Sequence, residues 1–182
     1  SPKHLAKQFF LDDKKVLAGE SIQDRLEINI TKKGDLAWYT TSKRPIFNKE
    51  RQIVGTYGIS RHIENSSQTP TAMGSLQIPV DYIKENYGQE ITIKNLASHC
   101  NLSISALERR FKKYLSKTPL QFINEFRLEQ ARRQLIESSE SIAQIASNCG
   151  YSEHSYFSSQ FSKFFNELPS EFRKNHIEKT SN

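Results

Sequence analysis

The sequence predicts a mainly α chain in which a small α+β part precedes a domain of seven helices built as two helix-turn-helix modules. Three observations predict it. Apolar residues alternate with period two only in the early part of the chain, while from Leu76 onward they recur at helical spacing. The third is an internal repeat: LASHCNLSISALERRFKKYLSKTP is written again as IASNCGYSEHSYFSSQFSKFFNELP. Leu96-Ala97-Ser98 matches Ile145-Ala146-Ser147, Cys100 matches Cys149, and Ser103 matches Ser152. After a one-residue insertion, Leu107 matches Phe157, Phe111 matches Phe161, and Pro119 matches Pro169. Each copy reads as a short apolar helix, a tight turn, and a longer helix opening at a serine N-cap. A repeat this detailed marks a duplicated supersecondary unit.

In chain order, Pro2–Leu17 reads as an amphipathic helix on which Leu5, Phe9 and Val16 share a face, ended by Gly19. From Asp24, Leu26, Ile28 and Ile30 alternate with polar residues in a first strand. Lys33-Gly34-Asp35 turns the chain into Leu36–Ser42, rich in aromatic and β-branched residues, with Lys43–Phe47 extended after it. Asn48–Arg51 turns again, and Gln52–Arg61 is the third strand. The result is a three-stranded antiparallel sheet, too small to be stable without a partner surface. Asn65–Ser75, polar with Pro70 and Gly74, reads as a flexible, protease-sensitive linker between a domain over 1–64 and one over 76–177.

The second domain opens with a helix at Pro79–Tyr87, followed by the first copy's support helix, Thr92–Cys100, and its turn at Asn101-Leu102. In its second helix, Ser103–Leu115, the pattern turns Ile104, Leu107 and Phe111 inward. Ser105, Glu108, Arg109, Lys112 and Lys113 face outward. Thr118–Ile136 is one long helix, with Pro119 at its first position and Thr118 and Gln121 forming a capping box. Leu128, Ala131 and Leu135, with Phe122, Ile123 and Phe126, supply its apolar contacts, and Arg127, Arg132 and Arg133 fall among its solvated positions. Ser141 and Gln144 form a second capping box before Ile142–Cys149, Gly150 ends that helix, and Ser152 caps Glu153–Phe165. A short helix at Pro169–Asn175 closes the domain, leaving 178–182 as a disordered tail.

A net charge of +6 permits a polyanionic partner without demanding one. Leu76–Ile177 carries 13 Lys/Arg against 11 Asp/Glu, so a nucleic-acid case rests on local placement. No apolar run approaches bilayer length and no charged-then-apolar leader opens the chain, which predicts a soluble, cytoplasmic protein with no membrane partner. Ser1 in place of Met points to a fragment or a processed chain. Cys100 and Cys149 read as small buried fillers, not a disulfide or metal pair. No paired acid and base, metal cluster or activated nucleophile appears, so no catalytic residue, metal or cofactor is assigned. A phospho-accepting role for His62 finds no nucleotide site to serve it.

Residues 8–64 resemble the second half of a PAS sensor domain. The residues that carry this are Gly34, Trp38, Thr41, Ser42, Pro45, Ile46, Ile53, Val54, Gly55, Gly58, Ile59, Ser60 and Arg61. His62, Ile63 and Glu64 stand where that family often continues Asp-Ile-Thr, and the first half of the fold has no counterpart. The resemblance implies sensing of a small-molecule signal and leaves room for a homodimer through this part. Trp38 and Tyr57 are the residues placed to line a pocket, with core packing as the competing role.

Residues 78–175 resemble the DNA-binding domain of the arabinose-regulator (AraC-type) transcription factors. The match runs in register through Leu96-Ala97, Ser103, Leu107, Arg109, Phe111-Lys112, Pro119, Arg127-Leu128, Ala131, Leu135, Ile142, Ile145-Ala146, Gly150-Tyr151, Ser155-Tyr156-Phe157, Phe161, Pro169 and Phe172-Arg173. It implies a bacterial, DNA-binding transcription regulator whose partners are double-stranded DNA and RNA polymerase. Two recognition helices on one monomer would enter successive major grooves, about 34 Å apart, and a spacer helix of about eighteen residues is about 27 Å long. Ser105, Glu108 and Arg109 fall at the family's base-reading positions, with Lys112, Lys113 and Lys117 on phosphates. In the second copy His154 and Ser155 open the reading helix, and Ser159 replaces a frequent arginine, which predicts a blunter second reader. Ser116 and Asn166 stand where glycine is common, and Leu168 replaces a capping threonine. The competing reading is a helical protein-interaction module that has lost sequence-specific DNA reading.

Overall fold

A computed structural model of the protein describes residues 3–30, 36–63 and 71–180. The elements run α1 (Lys3–Leu17), β1 (Ile22–Ile30), β2 (Leu36–Phe47), β3 (Ile53–Ile63), α2 (Thr71–Asn86), α3 (Ile93–His99), α4 (Ile104–Leu115), α5 (Pro119–Glu137), α6 (Ile142–Asn148), α7 (His154–Phe165) and α8 (Pro169–Thr180). They form two compact units, one of α1 and the sheet, the other of the chain from Gly74 on. The mainly α architecture with a three-stranded antiparallel sheet is as the sequence predicts.

In the first unit β2 lies between β1 and β3. Lys43 and Thr56 reach α1 from the same face of the β2–β3 ladder, both meeting Asp13 Oδ1, at 2.7 and 3.1 Å. That lysine draws the Asp13 carboxyl below its ordinary pKa. Behind Asp13, the fully buried Asp12 accepts both arms of Arg25 from β1, at 2.8 and 2.6 Å, and Glu27 completes the network. Helix α1 therefore docks through charge pairs as well as through Val16, which is buried; Phe9 is half-buried, and the Leu5 side chain lies outside the described residues. The predicted Lys33-Gly34-Asp35 turn also lies outside them.

Trp38 and Tyr57, each a candidate to line a pocket, lie well apart on the sheet. Trp38 pairs with Ile63 and Tyr57 with Arg44, which sets them six positions apart along β2, roughly 20 Å at strand rise. Trp38 is a core residue at 5 % exposure, while Tyr57 is 47 % exposed.

The second unit holds seven helices among the described residues. Its first helix begins earlier than expected: Thr71–Ser75, read as linker, is already the start of α2, and residues 64–70 lie outside the described residues. The sequence misleads here because Pro79 sits inside the helix. Proline has no N–H for the carbonyl four residues back, and Arg110 Nη1 donates to that carbonyl, Ser75 O, at 3.4 Å. At the other end α8 continues to Thr180, so 178–180 are helical and not a tail; Ser181 and Asn182 are outside the described residues.

The repeat is visible atom by atom. Phe111 meets Phe122 edge-on at 5.7 Å and 67°, and Phe161 meets Phe172 at 5.7 Å and 72°. The first turn closes with Leu102 N donating to Ala97 O at 2.9 Å, the second with Tyr151 N donating to Ala146 O at 3.0 Å. Asn101 (φ +52) and Gly150 (φ +79) both take the left-handed conformation there. Helix α5 carries its full capping box, with both Thr118 and Gln121 bonds present. The second predicted box is only half formed: Ser141 accepts from Gln144 N, but the Gln144 side chain goes forward to Asn148.

Candidate nucleic-acid interface

The longer helix of the first module is α4. Ser103 caps it, accepting from Ala106 N at 3.2 Å. Leu107, Phe111 and Leu115 bury one side against the module core. The opposite stripe therefore points away, and Ser105, Glu108, Arg109, Lys112 and Lys113 are all exposed. Their spacing of three and four residues places them on one strip of the helix. Ile104 was expected inward; at the first position of α4 it lies beyond the core's edge and is 44 % exposed, beside Ser105. Lys117 is occupied differently from its neighbours, its Nζ 2.5 Å from Glu125 Oε2 on α5.

The equivalent helix of the second module, α7, buries Phe157 and Phe161 and exposes His154, Ser155 and Ser159. It does not begin at a serine cap. Glu153 occupies the N-cap position and makes no side-chain cap bond, and Ser152 lies one residue outside. Tyr156 is 52 % exposed on this helix and Lys163 is exposed one turn beyond Ser159. Sequence reasoning overlooked both, because an aromatic among Phe157 and Phe161 reads as core and a lone lysine as solvated surface. The exposed face of α4 thus holds three cations and one carboxylate, that of α7 one lysine and a histidine.

Helix α5 joins the modules and belongs to the cores of both. Phe122, Ile123 and Phe126 are buried toward the first, while Leu128, Ala131 and Leu135 enter the cluster with Ile145, Cys149, Tyr151, Phe157 and Phe161. Contact on both sides explains why Glu129 and Gln130 are buried as well, Glu129 meeting Arg132 at 2.7 Å. Arg127, Arg132 and Arg133 are half-buried, against the expectation of solvated positions. Burial pushes the Cys149 thiol up to about 12, and it raises the Tyr151 phenol in the same direction. Both cysteines are free.

With this geometry in place, the comparisons with known proteins fall into line. Residues 96–175 match the family profile described as a helix-turn-helix domain, and residues 1–68 match the PAS fold. The chain is 36 % identical over 98 residues to the HTH-type transcriptional activator RhaS of Pectobacterium carotovorum subsp. carotovorum (strain PC1), covering 54 % of this chain and 35 % of that protein. It is 40 % identical over 91 residues to the HTH-type transcriptional regulator ArgR of Pseudomonas aeruginosa, covering 50 % of this chain and 28 % of the relative. It thus spans about a third of the length of these two relatives. A crystal structure of a transcriptional regulator with an AraC-type DNA-binding domain, from Chromobacterium violaceum, superposes with a TM-score of 0.56 at 32 % identity, covering 59 % of this chain and 96 % of that one. These relatives are regulators, a class without catalytic activity. No helix among the described residues is long and apolar enough to cross a membrane. Matched in sequence and in structure, the two helix-turn-helix modules make up an AraC-type DNA-binding domain, which this chain carries behind a PAS-fold segment.

Proposed function

We propose that this chain reads a bipartite DNA site with a single monomer, laying α4 and α7 in successive major grooves. The observation that carries this reading is the pair of exposed strips on α4 and α7, each backed by a buried aromatic core and joined by the 19-residue α5. Such a helix is about 28 Å long, close to the spacing of successive major-groove faces. In this reading Arg109 donates in bidentate fashion to a guanine, Glu108 accepts from a cytosine amine, and Ser105 contacts either base. Ile104 offers an apolar group for a thymine methyl, while Lys112 and Lys113 sit on phosphates. Lys117 contributes less, because Glu125 already holds it. The second module reads through His154, Ser155, Ser159 and Tyr156 and is anchored by Lys163. It discriminates less sharply for want of an arginine. The PAS-fold unit supplies the signal input, the protein works in the cytoplasm, and RNA polymerase is the protein partner through which the site acts.

The test is selection of bound sequences from a random duplex pool, repeated with Arg109→Ala. The expected result is a site of two elements about ten base pairs apart, with one position relaxed in the variant by about 1–3 kcal/mol of lost discrimination. A pool that stays unenriched while binding fades uniformly with salt overturns the base-reading assignment. Salt-insensitive capture of a protein instead of DNA would favour an interaction module.

A further inference from the structure

Arg127 lies midway along α5, half-buried, and its guanidinium ties together three separate pieces of chain. Nε donates to the Tyr87 carbonyl at 2.8 Å and Nη2 to the Gln89 carbonyl at 2.6 Å. Its Cζ stands 5.9 Å from the centre of the Tyr151 ring. Tyr87 and Gln89 lie just past the end of α2, in the first module, and Tyr151 follows the turn between α6 and α7, in the second. Around this point the two backbones meet with no side chains between them. A Cβ on Gly88 would fall 2.6 Å from the Asn148 carbonyl oxygen. One on Gly150 would fall 2.5 Å from the Tyr87 carbonyl oxygen and 2.8 Å from Arg127 Cζ. The Tyr87 ring packs edge-on against Phe126 at 5.4 Å and also against the second module's core. The seam is therefore two glycine contacts, one bridging aromatic and one guanidinium.

Resting on the bipartite reading above, we propose that Arg127 is a positioning residue that sets which half-site spacing the chain accepts. By fastening residues 87–89 to the 148–151 turn, it fixes the distance and rotation between α4 and α7 without touching DNA. A rigid seam presents the second reader to one spacing at high effective concentration and to other spacings hardly at all. Each inserted base pair moves the second element by about 3.4 Å and turns it by about 35°. A loosened seam lowers the effective concentration at the correct spacing and evens out the rest. Lysine at this position keeps the charge but can no longer fork to two carbonyls.

The experiment measures affinity of the whole chain for the selected duplex, for duplexes with one or two base pairs inserted between the elements, and for the α4 element alone. The wild-type chain is expected to lose about tenfold or more on the first insertion. Arg127→Lys is expected to hold the lone element within about twofold, bind the intact site about tenfold more weakly, and lose less than about threefold on insertion. Gly88→Ala strains the same seam against the Asn148 carbonyl, where no atom of Arg127 lies within reach of the new Cβ, and is expected to relax the spacing in the same way. Steep wild-type dependence retained by both variants overturns the clamp alone. Parallel loss of lone-element and bipartite binding also overturns it, since that marks general loss of fold. A wild-type chain indifferent to insertion overturns the bipartite reading and this proposal together.

Discussion

Ser116 and Asn166 end α4 and α7 with φ +58 at both positions, so a side chain sits where L-residues are strained. Glycine carries no such cost, and Asn tolerates the conformation better than Ser. Ser116→Gly should therefore stabilise the fold by about 1 kcal/mol, and Asn166→Gly by less, read as an upward shift of the urea midpoint. The final helix shows a related economy: Leu168 cannot cap through its side chain, yet Glu171 Oε2 accepts from Leu168 N at 3.1 Å, keeping half of a capping box. Single residues are also where the sequence was least legible. Arg127 looked like a solvated arginine because three-dimensional neighbours forty positions away do not show in local periodicity. The Gly150 conformation was legible from its place after α6, but the absence of room for a Cβ was not.

At the scale of elements, periodicity and caps carried most of the information. The strands, the register of the repeat, α4, α5 and the left-handed turn at Gly150 follow from local pattern, since each depends on neighbours within a few residues. The failures have a common physical cause, a distant group supplying what local chemistry lacks. Arg110 satisfies the carbonyl that Pro79 strands, so α2 begins among residues that read as linker. Likewise α7 starts without its serine cap, held by the burial of Phe157 and Phe161. The end of α6 gives a pH prediction. Folding raises the Cys149 thiol from 9.0 to about 12, so the unfolded chain releases that proton first. Stability is then unaffected by this group below about pH 8.5 and falls as pH rises from there toward the folded value. Burial raises Cys100 and Tyr151 in the same direction and adds to the slope. Urea midpoints taken from pH 8 to pH 10 should fall less steeply for Cys149→Ala than for the wild-type chain, whatever the variant's stability at neutral pH.

For the whole molecule, net charge is a poor guide and distribution a good one. The chain carries +6 overall, yet the exposed cations of α4 and α7 are concentrated on α4, at Arg109, Lys112 and Lys113, against Lys163 on α7. The salt dependence of DNA binding should accordingly belong mostly to the first module. Replacing Lys112 and Lys113 together with Ala should flatten the slope of log affinity against log salt by about 2, and Lys163→Ala by about 1. A salt titration on the selected duplex measures both. The seam between modules bears on how two copies of one ancestral sentence can drift apart. In the first turn the left-handed position is held by Asn101, a residue with a side chain; its counterpart, Gly150, is pressed against Tyr87 and Arg127 and has room for none. One duplicate turn can change its wording and the other cannot. Side chains are therefore tolerated at the first turn, while the second is obliged to keep its glycine as the hinge pin of the pair.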